Sequence, residues 1–272
     1  MTLPAYEIVA LKYAHHERRS GENFLGGDPH DVPMPLDYFV WLVRGDGREI
    51  VVDTGFSAEM AKKRARRHLR CPADGLRLLG CDPANVGDVV ITHLHYDHAG
   101  NIDRFPNAAL HLQDEEMRYA TGRYMCHDCF RHAFEVEDVV SMVRRVYAGR
   151  VRFHAGDADI APGVSLHHIG GHTLGLQAVR VHTARGWVVL ASDAAHFYAN
   201  FRQVRPFPIA HDVGRMVDGY ARLRALAESE DHIVPGHDPL VTTRYPAVSA
   251  ALDGIAVRLD VAPRFPLEPL SR

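Results

Sequence analysis

The sequence predicts an α/β fold, and three observations carry the prediction. Short apolar runs, among them Val89-Val90-Ile91, Val164 to Ile169, Val188 to Leu190 and Ile233-Val234, recur along the 272-residue chain. They alternate with stretches of helical spacing, Val136 to Tyr147 and Val213 to Ala227. Each of those four apolar runs is closely followed by metal-capable side chains: His93 after the first, His172, Asp193 and His237 after the others. Loops at the carboxyl ends of strands are where α/β sheets place their chemistry.

In order along the chain, residues 5 to 13 alternate loosely and read as a first strand. Residues 14 to 37 are rich in Gly, Pro, His and charge and read as a long loop. Loops of that length in a compact domain tend to be functional, so this one is expected to line a substrate entrance. Tyr38 to Val43 and Arg48 to Asp53 read as a hairpin turning at Gly45-Asp46-Gly47. Ser57 is placed to cap a basic helix running to about Leu69, with the Lys62–Arg70 charge as its solvated face. Ala108 to Leu112 reads as a strand and Glu115 to Ala120 as a short helix. The helix Val136 to Tyr147 has apolar residues at 136, 139, 140, 143, 146 and 147. Strands return near 151–154, 164–169, 176–182 and 187–192, and Pro263 to Pro266 reads as an extended surface segment. The metal-capable residues span most of the chain and must converge, so residues 1–272 are expected to form one domain.

The net charge of −3 gives no electrostatic case for nucleic acid or membrane partners. No basic segment precedes an apolar run at the start, and no uncharged stretch reaches the ~20 residues of a membrane span, so the expected compartment is the cytoplasm. Cys71, Cys81, Cys126 and Cys129 then read as packed free thiols. Cys126-His127-Asp128-Cys129 with His132 has the spacing of part of a zinc site, but no second cysteine pair completes it. His15, His16 and His30 read as solvated, and His168, His211 and His232 as satisfied or surface residues.

The richest segment is Thr92-His93-Leu94-His95-Tyr96-Asp97-His98, with four metal-capable side chains in six residues. Imidazole and carboxylate are ligands for zinc and similar divalent ions. On a continuing strand His93 and His95 would point to one side. A tight turn would then aim Asp97 and His98 at a second ion.

With Asp53-Thr54-Gly55, Gly171-His172, Asp193 and Pro235-Gly236-His237, the set resembles the metallo-β-lactamase superfamily, in the family's order across residues 53 to 237. The resemblance implies a four-layer αββα sandwich with its site at one edge of two sheets. It implies two divalent ions, zinc by default, one held by His93, His95 and His172 and the other by Asp97, His98 and His237. Asp193 would bridge them, and Asp53 would orient ligands beneath the site. The chemistry implied is hydrolysis of an acyl bond by a hydroxide shared between the ions.

The segments Leu79 to Pro83 through Asn101 and Ser192 to Ala195 look most like the N-acyl homoserine lactonase group. The expected activity is opening of N-acyl homoserine lactones or a related lactone, a small-molecule acyl substrate. Asp97, Asp193, His196 and Tyr198 are the candidate catalytic residues. Those lactonases typically carry a Tyr three residues after the bridging Asp. Here that position is His196, with Tyr198 two residues on. A glyoxalase II-like thioesterase is the alternative, although no basic C-terminal glutathione-binding module is recognisable. Zinc β-lactamases often have Cys where this chain has Asp193, nucleases of the tRNA 3′-processing type add motifs not found here, and flavodiiron proteins add a flavin domain. Phe130, Phe134, Phe197, Tyr198, Phe201 and Phe207 are candidate pocket walls, with ordinary core packing the competing reading. Homodimer or monomer is left open.

Overall fold

The computed structural model describes residues 2–268. Its strands are β1 (Glu7–His16), β2 (Leu36–Gly45), β3 (Arg48–Val52), β4 (Arg67–His68), β5 (Asp88–Val90), β6 (Ala109–Gln113) and β7 (Val151–His154). They continue with β8 (Ala158–Ala161), β9 (Val164–His168), β10 (Gln177–Thr183), β11 (Gly186–Ser192), β12 (Ile233–Pro235) and β13 (Ala256–Arg258).

The first sheet runs β13-β1-β2-β3-β5-β6-β7, with β4 paired to β1 off that path. The second runs β12-β11-β10-β9-β8. In the first, β1, β2 and β3 pair antiparallel, whereas β3, β5, β6 and β7 are parallel. In the second, only β11 and β12 are parallel.

Side-chain alternation makes the layers. On β2, Phe39, Trp41 and Val43 pack between the sheets with Leu166, Val179 and Leu190 of the second. Tyr38, Val40 and Leu42 point the other way and are covered by Leu76, Phe105 and Met142. A strand buried on both faces reads as a continuous apolar run, and Tyr38 to Val43 does. On the far side of the second sheet, Met216, Tyr220 and Leu223 of the helix Val213–Leu226 join the inter-sheet cluster. Helix, sheet, sheet and helix follow one another as expected. No helix among the described residues is long and apolar enough to cross a membrane.

Several expectations need correction. The segment between His16 and Leu36 is shorter than the loop read from residues 14 to 37, because both flanking strands extend into it. Ser57 does cap a helix, accepting from Met60 N–H, but the helix spans only Ala58–Lys63. The chain reverses at Ala65, with φ 53°, and Arg67–His68 pairs with β1 as β4. Arg64 is drawn inward by Glu135 at 2.6 Å and by the carbonyl of His132 at 2.9 Å. In the helix Val136–Tyr147 the fully buried residue is Met142, whereas Val136 is 69% and Tyr147 90% exposed. Val139 packs against the core and Val140, Val143 and Val146 are half-buried, so only the two ends of the stripe read from sequence fall outside the packed face.

Candidate metal centre

β5 ends at Val90, two residues before the histidine run. The Asp53 carboxylate takes the Thr92 N–H and hydroxyl, both at 2.8 Å, and pulls the chain out of the sheet. His93 and His95 therefore lie on a loop, not on alternate positions of a strand as read from sequence. They still converge, with ring centroids 4.5 Å apart. The short helix Tyr96–Ala99 then presents Asp97 and His98.

The other donors arrive from strand ends of the second sheet. His172 follows β9, Asp193 follows β11 and His237 follows β12. Two glycines permit the approach. A Cβ on Gly236 would meet the Ser192 carbonyl at 2.8 Å and the Asp193 carboxylate at 2.9 Å. Gly171 has φ +89°, and a Cβ there would lie 2.6 Å from the Met216 backbone. Asp53 and Ser192 are non-glycine residues in the left-handed region, with φ 60° and 46°. Strain of that kind persists only where the surroundings enforce it. Here Thr92 does so, its hydroxyl contacting Asp53 at 2.8 Å and the Ser192 hydroxyl at 2.9 Å.

Three groups of donor atoms result: His93, His95, His172 and Asp193; Asp97, His98 and His237; and Asp193, His196 and His237. Within each, the donor atoms lie within 4.8 Å of one another. The two Asp193 oxygens face different sets, Oδ2 lying 3.1 Å from His172 Nε2 and Oδ1 2.9 Å from His237 Nε2 and 3.3 Å from His98 Nε2.

The outward-facing ring nitrogens are held. His98 Nδ1 is 2.7 Å from Asp53, His172 Nδ1 2.7 Å from the Ile209 carbonyl, and His237 Nδ1 3.0 Å from the Asp37 carbonyl. Each partner is an acceptor, so Nδ1 carries a proton and Nε2 is the atom that faces inward.

Burial and the surrounding rings keep His93 and His95 well below the ordinary imidazole range, hence neutral. Burial alone would raise the Asp193 carboxyl, but His196, His237, His98 and His172 hold it well below the usual carboxylate range. His93 Nε2 and His98 Nε2 are buried with no hydrogen-bond partner among the described residues. Orphaned buried nitrogens are costly unless something fills them. Burial would lower His98 and His237, but Asp193 and the neighbouring carboxylates raise both, so an ion held at their inward Nε2 atoms would displace protons. With neutral His93 and His95, an ionised Asp193 and the converging donor atoms, the residues fit two divalent ions.

Of the candidate catalytic residues, Asp97, Asp193 and His196 line the cavity over this centre. His196 stacks on Phe207 at 3.5 Å and approaches Asp193 Oδ2 at 3.1 Å. Tyr198 is not among the lining residues. Its ring is packed under the Arg244 guanidinium, 5.0 Å away, in the inter-sheet core. Phe207 is the one candidate aromatic on the cavity wall, Phe134 packs behind His95 at 4.6 Å, and Phe197 and Phe201 are core residues.

Sequence reading missed several residues. Glu116 is fully buried and accepts from Leu94 N–H, Gly175 N–H and the Thr173 hydroxyl, tying the two histidine loops together. Tyr38 and Tyr96 line the cavity with their hydroxyls 3.3 Å apart, and Arg66 Nε donates to Tyr96 at 3.2 Å. Arg18 lines it too, as do Arg64 and Arg66, so the 62–70 charge is a solvated face only in part: Lys62, Lys63 and Arg67 are exposed, whereas Arg64 and Arg66 turn to the cavity. Nor is His15 solvated; it contacts Asp37 at 2.6 Å. Cys126 and Cys129 are free but exposed rather than packed, and neither belongs to a metal-capable group among the described residues.

Two layered sheets that bring donor groups fit for two divalent ions to one edge, with Asp193 standing between them, define the αββα metal-binding class. The chain belongs to the metallo-beta-lactamase superfamily, whose profile matches residues 34–237. It is 30% identical over 165 residues to an N-acyl homoserine lactonase of a Bacillus species, a match covering 60% of each chain. It is also 30% identical over 236 residues to the N-acyl homoserine lactonase AttM of Azorhizobium caulinodans, covering 78% of this chain and 85% of that one. A solved N-acyl homoserine lactone hydrolase, with N-hexanoyl-L-homoserine at its catalytic metal centre, superposes with TM-score 0.70 at 23% identity. That match covers 88% of this chain and 94% of the other.

Proposed function

We propose that the protein is a dinuclear metal-dependent lactonase that opens N-acyl homoserine lactones or a related lactone. The observation that carries the reading is the division of the Asp193 carboxylate between two donor sets. The curated relatives named as lactonases support the substrate class. In this reading His93, His95 and His172 hold one ion, Asp97, His98 and His237 the other, and Asp193 serves both. Zinc is the ion best suited to a set this rich in imidazole. When bound, two such ions lower the pKa of a shared water and polarise the lactone carbonyl.

The chain's own residues do the rest. Asp53 orients His98 and, through Thr92, the His93 loop. His196 is kept neutral, pushed down to about 3 chiefly by burial. Its Nε2–H donates to Asp193, and Nδ1 is buried with no partner among the described residues, so His196 acts by positioning the Asp193 carboxylate. Donation to the substrate falls to the Tyr38 and Tyr96 hydroxyls, which stand at the cavity where Tyr198 does not. Phe207 and Leu36 give it apolar wall.

Parallel assays of N-acyl homoserine lactones, 4-pyridoxolactone and S-lactoylglutathione test this. Lactone opening with little thioester turnover is expected. Turnover of the thioester alone would replace the reading with a glyoxalase II-like thioesterase.

A further inference from the structure

Two arginines on the cavity wall have no acidic partner. Arg64 is neutralised by Glu135 at 2.6 Å. Arg18 and Arg66 line the same cavity, and neither has a carboxylate within ion-pair distance among the described residues. Arg66 donates from Nε to Tyr96 and from one terminal nitrogen to the Arg64 carbonyl at 2.7 Å. Arg18 donates to the Glu22 carbonyl at 2.5 Å and lies over the Phe207 ring at 5.3 Å. Arg18 Nε is buried with no hydrogen-bond partner among the described residues. The nearby Glu22 carboxylate is engaged by the Arg19 N–H at 2.8 Å.

Burying one guanidinium beside another is unfavourable unless an anion joins them. Burial and then the repulsion of Arg66 and Arg18 push His16 beside them down to about 4, so it adds no charge of its own. The only carboxylates on the wall, Asp97 and Asp193, belong to the donor sets. A lactone with a plain acyl chain gives these arginines nothing to bind.

We infer that Arg18 and Arg66, with the Tyr96 hydroxyl, form a seat for an oxyanion, so that the substrate carries a carboxylate or phosphate away from its scissile bond. The inference rests on the lactonase reading for the rest of the substrate. Charge-assisted contacts to a planar guanidinium are the strong ones, and two of them in a partly buried cleft discriminate at least about tenfold.

The test is calorimetric binding of stable ring-opened ligands to the zinc-loaded protein: N-glutaryl-L-homoserine, N-(4-phosphonobutanoyl)-L-homoserine and N-hexanoyl-L-homoserine. At least one anionic ligand is expected to bind about tenfold or more tightly than the hexanoyl ligand, and the tighter of the two identifies the oxyanion. The preference should collapse in Arg66→Met and Arg18→Met, survive in part in Arg66→Lys, and weaken with salt. Thermal melting of each variant separates lost recognition from lost folding. No preference in the native protein, or a preference unchanged in both Met variants, overturns the seat. Opening of the matching lactones is scored in parallel. A protein that prefers the anions but opens no lactone refutes the lactonase reading alone, and one that opens N-hexanoyl homoserine lactone with no preference refutes the seat alone.

Discussion

Asp193 and Glu116 are both buried carboxylates, yet they do different work. Asp193 is surrounded by ring nitrogens that point at it, whereas Glu116 is surrounded by backbone and hydroxyl donors. Asp193→Ala or His95→Ala should remove at least one metal equivalent and nearly all hydrolysis, read by elemental analysis beside an activity assay. Glu116→Ala leaves buried donors unmatched and should destabilise by about 2–4 kcal/mol in urea unfolding, while Glu116→Gln recovers part of the loss. Asp138 is a third case. Burial and then Glu135 raise its carboxyl to about 7, and Oδ2 has no hydrogen-bond partner among the described residues. A carboxyl whose folded pKa is raised favours the protonated fold, so its contribution is intact near pH 4 and is lost as pH rises through about 7. Asp138→Asn should therefore stabilise the protein at pH 8 and change little at pH 4, followed by melting temperature. Equal effects at both pH values would refute that cause.

At the scale of elements, the strands and long helices were legible because burial on one or both faces writes a period into the sequence. The hairpin Leu36–Gly45 with Arg48–Val52 and the helix Val213–Leu226 are examples. What was not legible arose from contacts between distant segments. Lys62–Arg70 has the composition of an exposed basic helix, but Glu135 and Tyr96 turn Arg64 and Arg66 inward, and nothing local encodes that. His93 and His95 look like alternate strand positions until Asp53 draws Thr92 off the sheet. The candidate donors were legible because an apolar strand-end run precedes each of the His93–His98 segment, His172, Asp193 and His237, and their division into two sets rested on the family resemblance. The substrate wall was not, since Arg18 and Arg66 stand on separate connecting segments and Tyr38 on β2. Gly171 tests the loop geometry. Gly171→Ala, at φ +89° and against the Met216 backbone, should destabilise by about 1–3 kcal/mol and weaken metal retention through His172.

Over the whole molecule, both sheets deliver donors to one edge, and neither sheet holds a complete set. His93, His95, Asp97 and His98 come from the first sheet's loops, and His172, Asp193 and His237 from the second's. A metal held by these donors would tie the sheets together. An ion that binds only the folded state stabilises it by mass action, about 2.7 kcal/mol at a hundredfold excess over its dissociation constant. Chelation should lower the melting temperature, and zinc should restore it.

The most direct measurement is a titration of zinc into chelated protein while the opening of N-hexanoyl and N-glutaryl homoserine lactones is followed. The expected result is no hydrolysis without metal and a plateau at two equivalents per chain. Undiminished hydrolysis by the metal-free protein, or metal-loaded protein that opens neither lactone, would contradict the account.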